Sequence, residues 1–232
     1  MSVADRLAHV RARIDAAARS AGRNPSSVRL VAISKTLPLS AIREAYAAGQ
    51  RDFGENRVQE ALSKIAAGTD MAIRWHLVGH LQTNKARKAG PAFAVMHGID
   101  SVDLLHKLDA AAAEAGTTPE LLIQVDLAGE ATKHGVPPDE VPPLFEAAAG
   151  CRAARVTGLM TVPPRPDDAE DARPHFARLR ALRDGWRKSG VPDSMLQELS
   201  MGMSGDFEVA IQEGSTMVRV GTAIFGSRPV TA

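Results

Sequence analysis

Lys35 ends the run LVAISKT, Leu30 to Thr36. The apolar, partly β-branched residues before it are of the kind buried on both faces of a parallel sheet. An ammonium ion at the end of such a strand is expensive to bury unless it is paired, deprotonated or converted to something else. Strand alternation puts Val31, Ile33 and Lys35 on one face. If the first two fill an interior, the amine projects from its end. In a partly dehydrated pocket its pKa falls, and more of it is the neutral nucleophile that attacks a carbonyl. The plainer alternative is a lysine whose head snorkels to water.

Two further stretches bear on that choice. LSMGMSGDFEVAI passes from a strand into a helix through Ser200, Gly202, Ser204 and Gly205, and VRVGTAIFG sets Gly221 and Thr222 directly after another strand. Small residues let backbone N–H groups approach an anion, hydroxyls add donors, and a helix N-terminus adds partial positive charge. Together with Lys35 they suit a phosphorylated carbonyl compound. Arg219 shares a strand face with Met217 and Gly221 and is expected in the same place. It either pairs with a strand-end carboxylate or faces a ring nitrogen. A guanidinium donates and never accepts, so a pyridine nitrogen beside it would stay unprotonated.

The elements that would position these groups alternate along the chain. Strand-like runs fall near 28–35, 51–55, 73–79, 94–99, 120–127, 155–162, 197–203 and 216–221, with helical patterns between them. Gly49, Gly68, Gly116 and Gly190 stand where left-handed C-caps are expected, and Ser40 and Asp139 where N-caps are. Alternation of this kind argues for a parallel sheet with right-handed crossovers. Eight strands in an α/β chain of this length suggest a closed (β/α)8 TIM-type barrel, with a doubly wound open sheet as the alternative. The expected organisation is one domain over residues 1–232, with an extra N-terminal helix at 1–22 and the barrel at 28–232. Chemistry then belongs at the C-terminal strand ends, where Lys35, Thr36, Glu55, Asn56, His80, Asp100, Asp126, Met160, Thr161, Ser200, Met203, Ser204, Arg219, Gly221 and Thr222 gather.

Composition narrows the function classes. The 232 residues carry 28 basic and 27 acidic side chains, a formal charge of +1, which gives no reason to expect a nucleic-acid or membrane partner. The one cysteine, Cys151, cannot form an internal disulfide and suits a reducing compartment. The charged, amphipathic N-terminus is no signal peptide, so a cytoplasmic protein is expected.

The segments VAISKT, FGENRVQEA, RWHLVGHLQTNK, IDSVDLLHKL, EATKHG, GLMTVPP, LSMGMSGDFEVAI and VRVGTAIFG occur in order from about residue 28 onward. Together they resemble the pyridoxal phosphate homeostasis protein family, which is similar to the N-terminal barrel domain of alanine racemase, fold type III of the PLP proteins. The resemblance implies pyridoxal 5′-phosphate (PLP) held as a lysine aldimine on Lys35. It implies Arg219 at the pyridine nitrogen, and phosphate contacts at Ser200, Gly202, Ser204, Gly221 and Thr222. Asn56 would lie beside the ring. His76, His80, Met203 and Lys133 carry over less directly, Lys133 as a secondary PLP position or a solvated lysine. No metal site and no catalytic residue is expected.

Two functions compete. The resemblance implies a carrier that buffers PLP and delivers it to apoenzymes. The alternative is a PLP-dependent amino-acid racemase, which needs a second acid/base group opposite Lys35. In alanine racemases a C-terminal domain supplies a tyrosine across a dimer interface. The only tyrosine here, Tyr46, lies on the first crossover helix, and a monomer with an open mouth is expected. A cofactor-free Schiff-base aldolase explains Lys35 and the phosphate loops but leaves Arg219 without a role. Colour separates it from the other two, since a PLP aldimine is yellow.

Overall fold

The computed structural model describes residues 1–129, 134–164 and 167–226. Strands β1 (Arg29–Ile33), β2 (Asp52–Glu55), β3 (Arg74–Leu77), β4 (Val95–Ile99), β5 (Glu120–Gln124), β6 (Arg155–Met160), β7 (Glu198–Ser200) and β8 (Met217–Val220) follow one another in a closed parallel barrel. β8 seals it against β1, with Val31 opposite Arg219. The doubly wound alternative is therefore overturned. The strands are shorter than the apolar runs, because ladder pairing ends where the chain turns outward. Lys35, Asn56, His80 and Met203 consequently sit on loops beyond their strands.

Helices α1 (Val3–Ser20), α2 (Leu39–Ala47), α3 (Val58–Ala67), α4 (Ala86–Ala89), α5 (Val102–Ala115), α6 (Pro142–Ala149), α7 (Arg173–Lys188), α8 (Phe207–Gln212) and α9 (Thr222–Phe225) surround it. Of the expected left-handed caps, Gly49, Gly116 and Gly190 have φ of 86°, 68° and 98°. Gly68 does not, with φ −117°. Ser40 lies inside α2, whose N-cap is Pro38, and Asp139 lies in a single 3-10 turn ahead of α6. Proline at those starts already fixes φ and lacks an N–H to satisfy, so neither helix depends on the side-chain cap.

The main core lies between barrel and helices. Leu30, Ala32, Phe53, Leu77 and Leu199 point outward into it, and Leu7, Val10 and Ile14 of α1 join them. Each fully buried side chain of this kind contributes about 1.5–3 kcal/mol. α1 starts with a reciprocal capping box between Ser2 and Asp5. It lies against α8, α9 and α2, with Arg13 salt-bridged to Glu208, and so completes the helical ring outside β8 and β1. Inside the barrel a small apolar group, Val95, Leu122, Met160 and Met217, shares the space with polar side chains.

The approach to β6 is pinned from α5. The Asp109 carboxylate accepts N–H bonds from Arg152, Ala153 and Ala154 at 2.8–3.1 Å. Burial alone would raise its pKa; the three N–H groups outweigh burial and hold it below the usual value. Asp109→Ala is expected to lose about 1–3 kcal/mol of stability at neutral pH, read from urea midpoints. Because the folded pKa is the lower one, wild type and variant should converge as pH falls below about 4. An unchanged midpoint at pH 7 would contradict the pinning role.

Candidate functional site

A cavity of about 780 Å³ opens at the C-terminal ends of the strands, lined by Lys35, Asn56, Ser204, Arg219, Gly221 and Thr222 among others. Six of the eight expected site residues thus meet at one place.

Lys35 is half-buried, two residues past β1. Its neighbour Thr36 has φ +63°, a left-handed conformation that a threonine adopts only when its surroundings impose it. The Thr36 N–H donates to Glu60 Oε1 at 2.5 Å. Lys64 Nζ in turn donates to Glu60 Oε1 at 2.7 Å, to the Ser34 carbonyl at 2.9 Å and to Glu55 Oε1 at 2.8 Å. Both residues flanking Lys35 are therefore tied to one ammonium. Glu55 is wholly buried, and among the described residues its Oε2 has no hydrogen-bond partner. Burial raises its pKa, and Lys64 and Ser34 pull it down without cancelling that effect.

Arg219, at β8, is 5% exposed. It donates to Ser200 Oγ at 2.6 Å and to the Thr161 carbonyl at 2.9 Å. Burial pushes its pKa down to about 10, with Asp206 opposing the shift, so it remains a cation at neutral pH. Its partners are thus a hydroxyl and a carbonyl, and it makes no direct ion pair with a strand-end carboxylate among the described residues.

The expected phosphate residues divide. Ser204 Oγ accepts from the N–H groups of Gly221 and Ala223 at 3.1 and 3.4 Å, so an oxygen is already held against the turn after β8. Thr222 is exposed beside it. Ser200 and Gly202 do not line the cavity. The Ser200 side chain is fully buried inside the barrel, bonded to Arg219, because alternation along β7 turns it inward while Leu199 faces the outer core. Gly202, at φ +94°, passes so close to α8 that a Cβ would stand 2.6 Å from Ala210 Cβ. Met203 lines the cavity while Met201 lies in the outer core.

His76 is buried inside the barrel, bonded to Asp52 and His97. His80 bonds Asp100 at 3.1 Å and stacks on His134 with centroids 3.6 Å apart and planes 9° from parallel. One potential ligand atom from each of His80, Asp100 and His134 lies within 4.8 Å of the others, although the near-parallel rings keep the two histidine lone pairs in separate planes. Neither His76 nor His80 lines the cavity. Lys133 lies outside the described residues. Tyr46 packs under the Arg51 guanidinium at 3.9 Å and does not line the cavity.

Sequence reasoning missed Asp206, Asp167, Val162 and Pro163, all on the cavity wall. Asp206 is buried, which raises its pKa, and it accepts the Met203 N–H at 2.5 Å. Its place one residue after Ser204-Gly205, at the start of a helix, was the available signal. Chemically, the cavity offers one amine, one buried cation, hydroxyl and N–H donors at one turn, and apolar walls from Ile33, Val78 and Val162.

The family model described as alanine racemase, N-terminal domain, matches residues 6–229. The pyridoxal phosphate homeostasis protein of Aquifex aeolicus is 42% identical over 228 residues, covering 98% of this chain and 99% of that one. That of Pseudomonas aeruginosa is 44% identical over 230 residues, covering 98% and 96%. The structure of PipY of Synechococcus elongatus with PLP bound superposes with a TM-score of 0.85 at 42% identity, covering 97% of this chain and all of that one. An alanine racemase of Clostridium difficile, 14% identical, shares the fold with a TM-score of 0.74 over 98% of this chain and 58% of its own.

Lys64→Met is expected to cost about 3–5 kcal/mol, because it leaves Glu55 a buried, unpaired charge. Glu55 already binds its proton more readily folded than unfolded. The variant should therefore be most stable at low pH and lose stability as pH rises through the folded pKa, measured by urea unfolding at pH 5 and pH 8. A deficit independent of pH would mean Glu55 is not the group left uncompensated.

Proposed function

This chain belongs to the alanine racemase N-terminal domain family, and within it to the pyridoxal phosphate homeostasis proteins; from that premise we propose that it is a single-domain carrier that holds PLP covalently on Lys35. It would serve intracellular PLP homeostasis by reversible loading and by delivery to apoenzymes. The observation that carries the reading is the convergence of Lys35 and Arg219 on one cavity, with an oxygen-holding turn at its edge.

The residues present fit the group. When bound, PLP supplies an aldehyde for an amine, together with a ring and a phosphate for recognition. Lys35 supplies the amine. Its backbone is fixed on both sides, so only the side chain has to move. Arg219 presents donors alone, so a ring nitrogen beside it accepts a hydrogen bond and stays unprotonated. That limits how far negative charge can be drawn into the ring, and so which carbanion chemistry the site can support. Ser204, Gly221, Ala223 and Thr222 offer hydroxyl and N–H donors for phosphate oxygens. Asn56 would border the ring; the backbone of Gly79 approaches it so closely that a Cβ there would collide with the Asn56 carbonyl. Ser200 and Gly202 act behind this layer.

For racemisation the cavity wall, among the described residues, offers Asp167 and Asp206 as titratable groups besides Lys35 and Arg219, and neither tyrosine nor histidine. No described helix is long and apolar enough to cross a membrane. The reading includes a cytoplasmic home, in keeping with the lone thiol, and a monomer, which sedimentation would check.

Lys35→Ala should give colourless protein with no borohydride-trappable PLP adduct, scored by absorbance and intact mass. Trapping at another lysine would remove the assignment. Arg219→Glu should weaken PLP retention by roughly tenfold or more, since it replaces a charged donor with an acceptor; unchanged retention would place the guanidinium away from the ring. Loaded wild type, incubated with amino acids in deuterated water, should show no Cα exchange above free PLP. Exchange abolished by Lys35→Ala would make the protein an enzyme instead.

A further inference from the structure

The barrel interior holds a line of hydrogen bonds that the binding reading does not use. Arg219 Nη1 donates to Ser200 Oγ at 2.6 Å. Ser200 Oγ lies 2.8 Å from His97 Nδ1, and His97 Nε2 lies 2.9 Å from His76 Nδ1. His76 Nε2 lies 2.9 Å from Asp52 Oδ1. Ser200, His97 and His76 are wholly buried. The five residues come from β8, β7, β4, β3 and β2, each on the inward face. Asp52 opens at the opposite end onto a second cavity, of about 340 Å³, beneath the strand starts.

The two ends of this line dictate everything between them. A guanidinium only donates and a carboxylate only accepts. His76 must therefore give Asp52 its Nε2–H. A neutral imidazole has one N–H, so His76 Nδ1 accepts and His97 Nε2 donates. His97 Nδ1 then accepts, and the Ser200 hydroxyl, already accepting from Arg219, points its proton there. Each of the three groups between the ends has one donor and one acceptor role, and all the protons point toward Asp52. Burial agrees, pushing the pKa of His76 below its ordinary value and that of His97 well below it.

We propose that Ser200, His97, His76 and Asp52 are positioning residues for Arg219, a one-way hydrogen-bond line that fixes the guanidinium against the cavity wall and carries its registration to the far end of the barrel. Without the Ser200 hydroxyl, the guanidinium keeps only the Thr161 carbonyl as a wall partner and can turn. The consequence for ligand retention rests on the reading of Arg219 as a PLP contact; the proton arrangement does not.

The test has two arms that fail separately. In the first, wild-type full chain labelled with 15N is examined by long-range 1H–15N correlation at neutral pH, with His97→Gln used for assignment. Both rings are expected neutral and protonated on Nε2. An Nδ1–H form or an imidazolium at either position overturns the proposal, whether or not PLP binds. In the second, release of PLP is timed for Asp52→Ala, Ser200→Ala and Ser200→Thr. Ser200→Ala should release about tenfold faster, and Ser200→Thr, which restores the hydroxyl, should recover most of that. Asp52→Ala should release several-fold faster and should lose the fixed Nε2–H signal of His76. Unchanged tautomers and release in a normally folded Asp52→Ala protein would refute transmission along the line. Failure of wild type to retain PLP would sink the carrier reading and leave the first arm to decide the proton arrangement.

Discussion

A cation sealed inside a barrel is the constraint that organises this molecule. Arg219 is almost wholly buried and still charged, and a buried charge is tolerable only when its donors are met. The β8–β1 seam sets it level with Val31, four residues before Lys35 on the neighbouring strand. The interior that receives it cannot be the usual stack of branched apolar side chains. It carries a serine, two histidines and a carbonyl instead, and the apolar residues inside shrink to a small group. The polar interior and the arginine thus require each other.

That interior was the part of the structure the sequence concealed. The alternation of strands and helices disclosed the barrel, and reading strand ends found Lys35, Arg219, Ser204, Gly221 and Thr222, because period-2 alternation is local and robust. Ser200 and Gly202 lie off the cavity wall, and β7 ends at Ser200, a boundary set by pairing with its neighbours that no local pattern announces. His97 sits in the run VMHGI and reads as a polar interruption of an apolar strand. Pairing of β3 with β4 brings it to His76, 21 positions earlier, and only the closing of the barrel brings it to Ser200, 103 positions later. The cavity carboxylates were missed for a related reason, since Asp206 reads as a helix-start residue until the loop before it folds back over the mouth.

Recognition and reactivity are assigned to different parts of the fold. The amine stands on a loop of β1, the donors on the turn after β8, and the buried cation between them on the strand itself. Parallel neighbours in a barrel place these groups side by side although 184 positions separate Lys35 from Arg219. Relatives named for cofactor homeostasis and racemases that share the fold at 14–15% identity use one architecture.

The turn at Lys35 has a mechanical meaning. One ammonium, Lys64, grips the carbonyl of Ser34 directly and the amide of Thr36 through Glu60. The backbone on either side of the reactive residue is clamped in a conformation that threonine would not choose. A side chain mounted this way swings like the leaf of a hinge whose pins are fixed to the frame. If that side chain carries the cofactor, as proposed, loading and release need move only its tip, and the frame it is pinned to can keep one shape throughout.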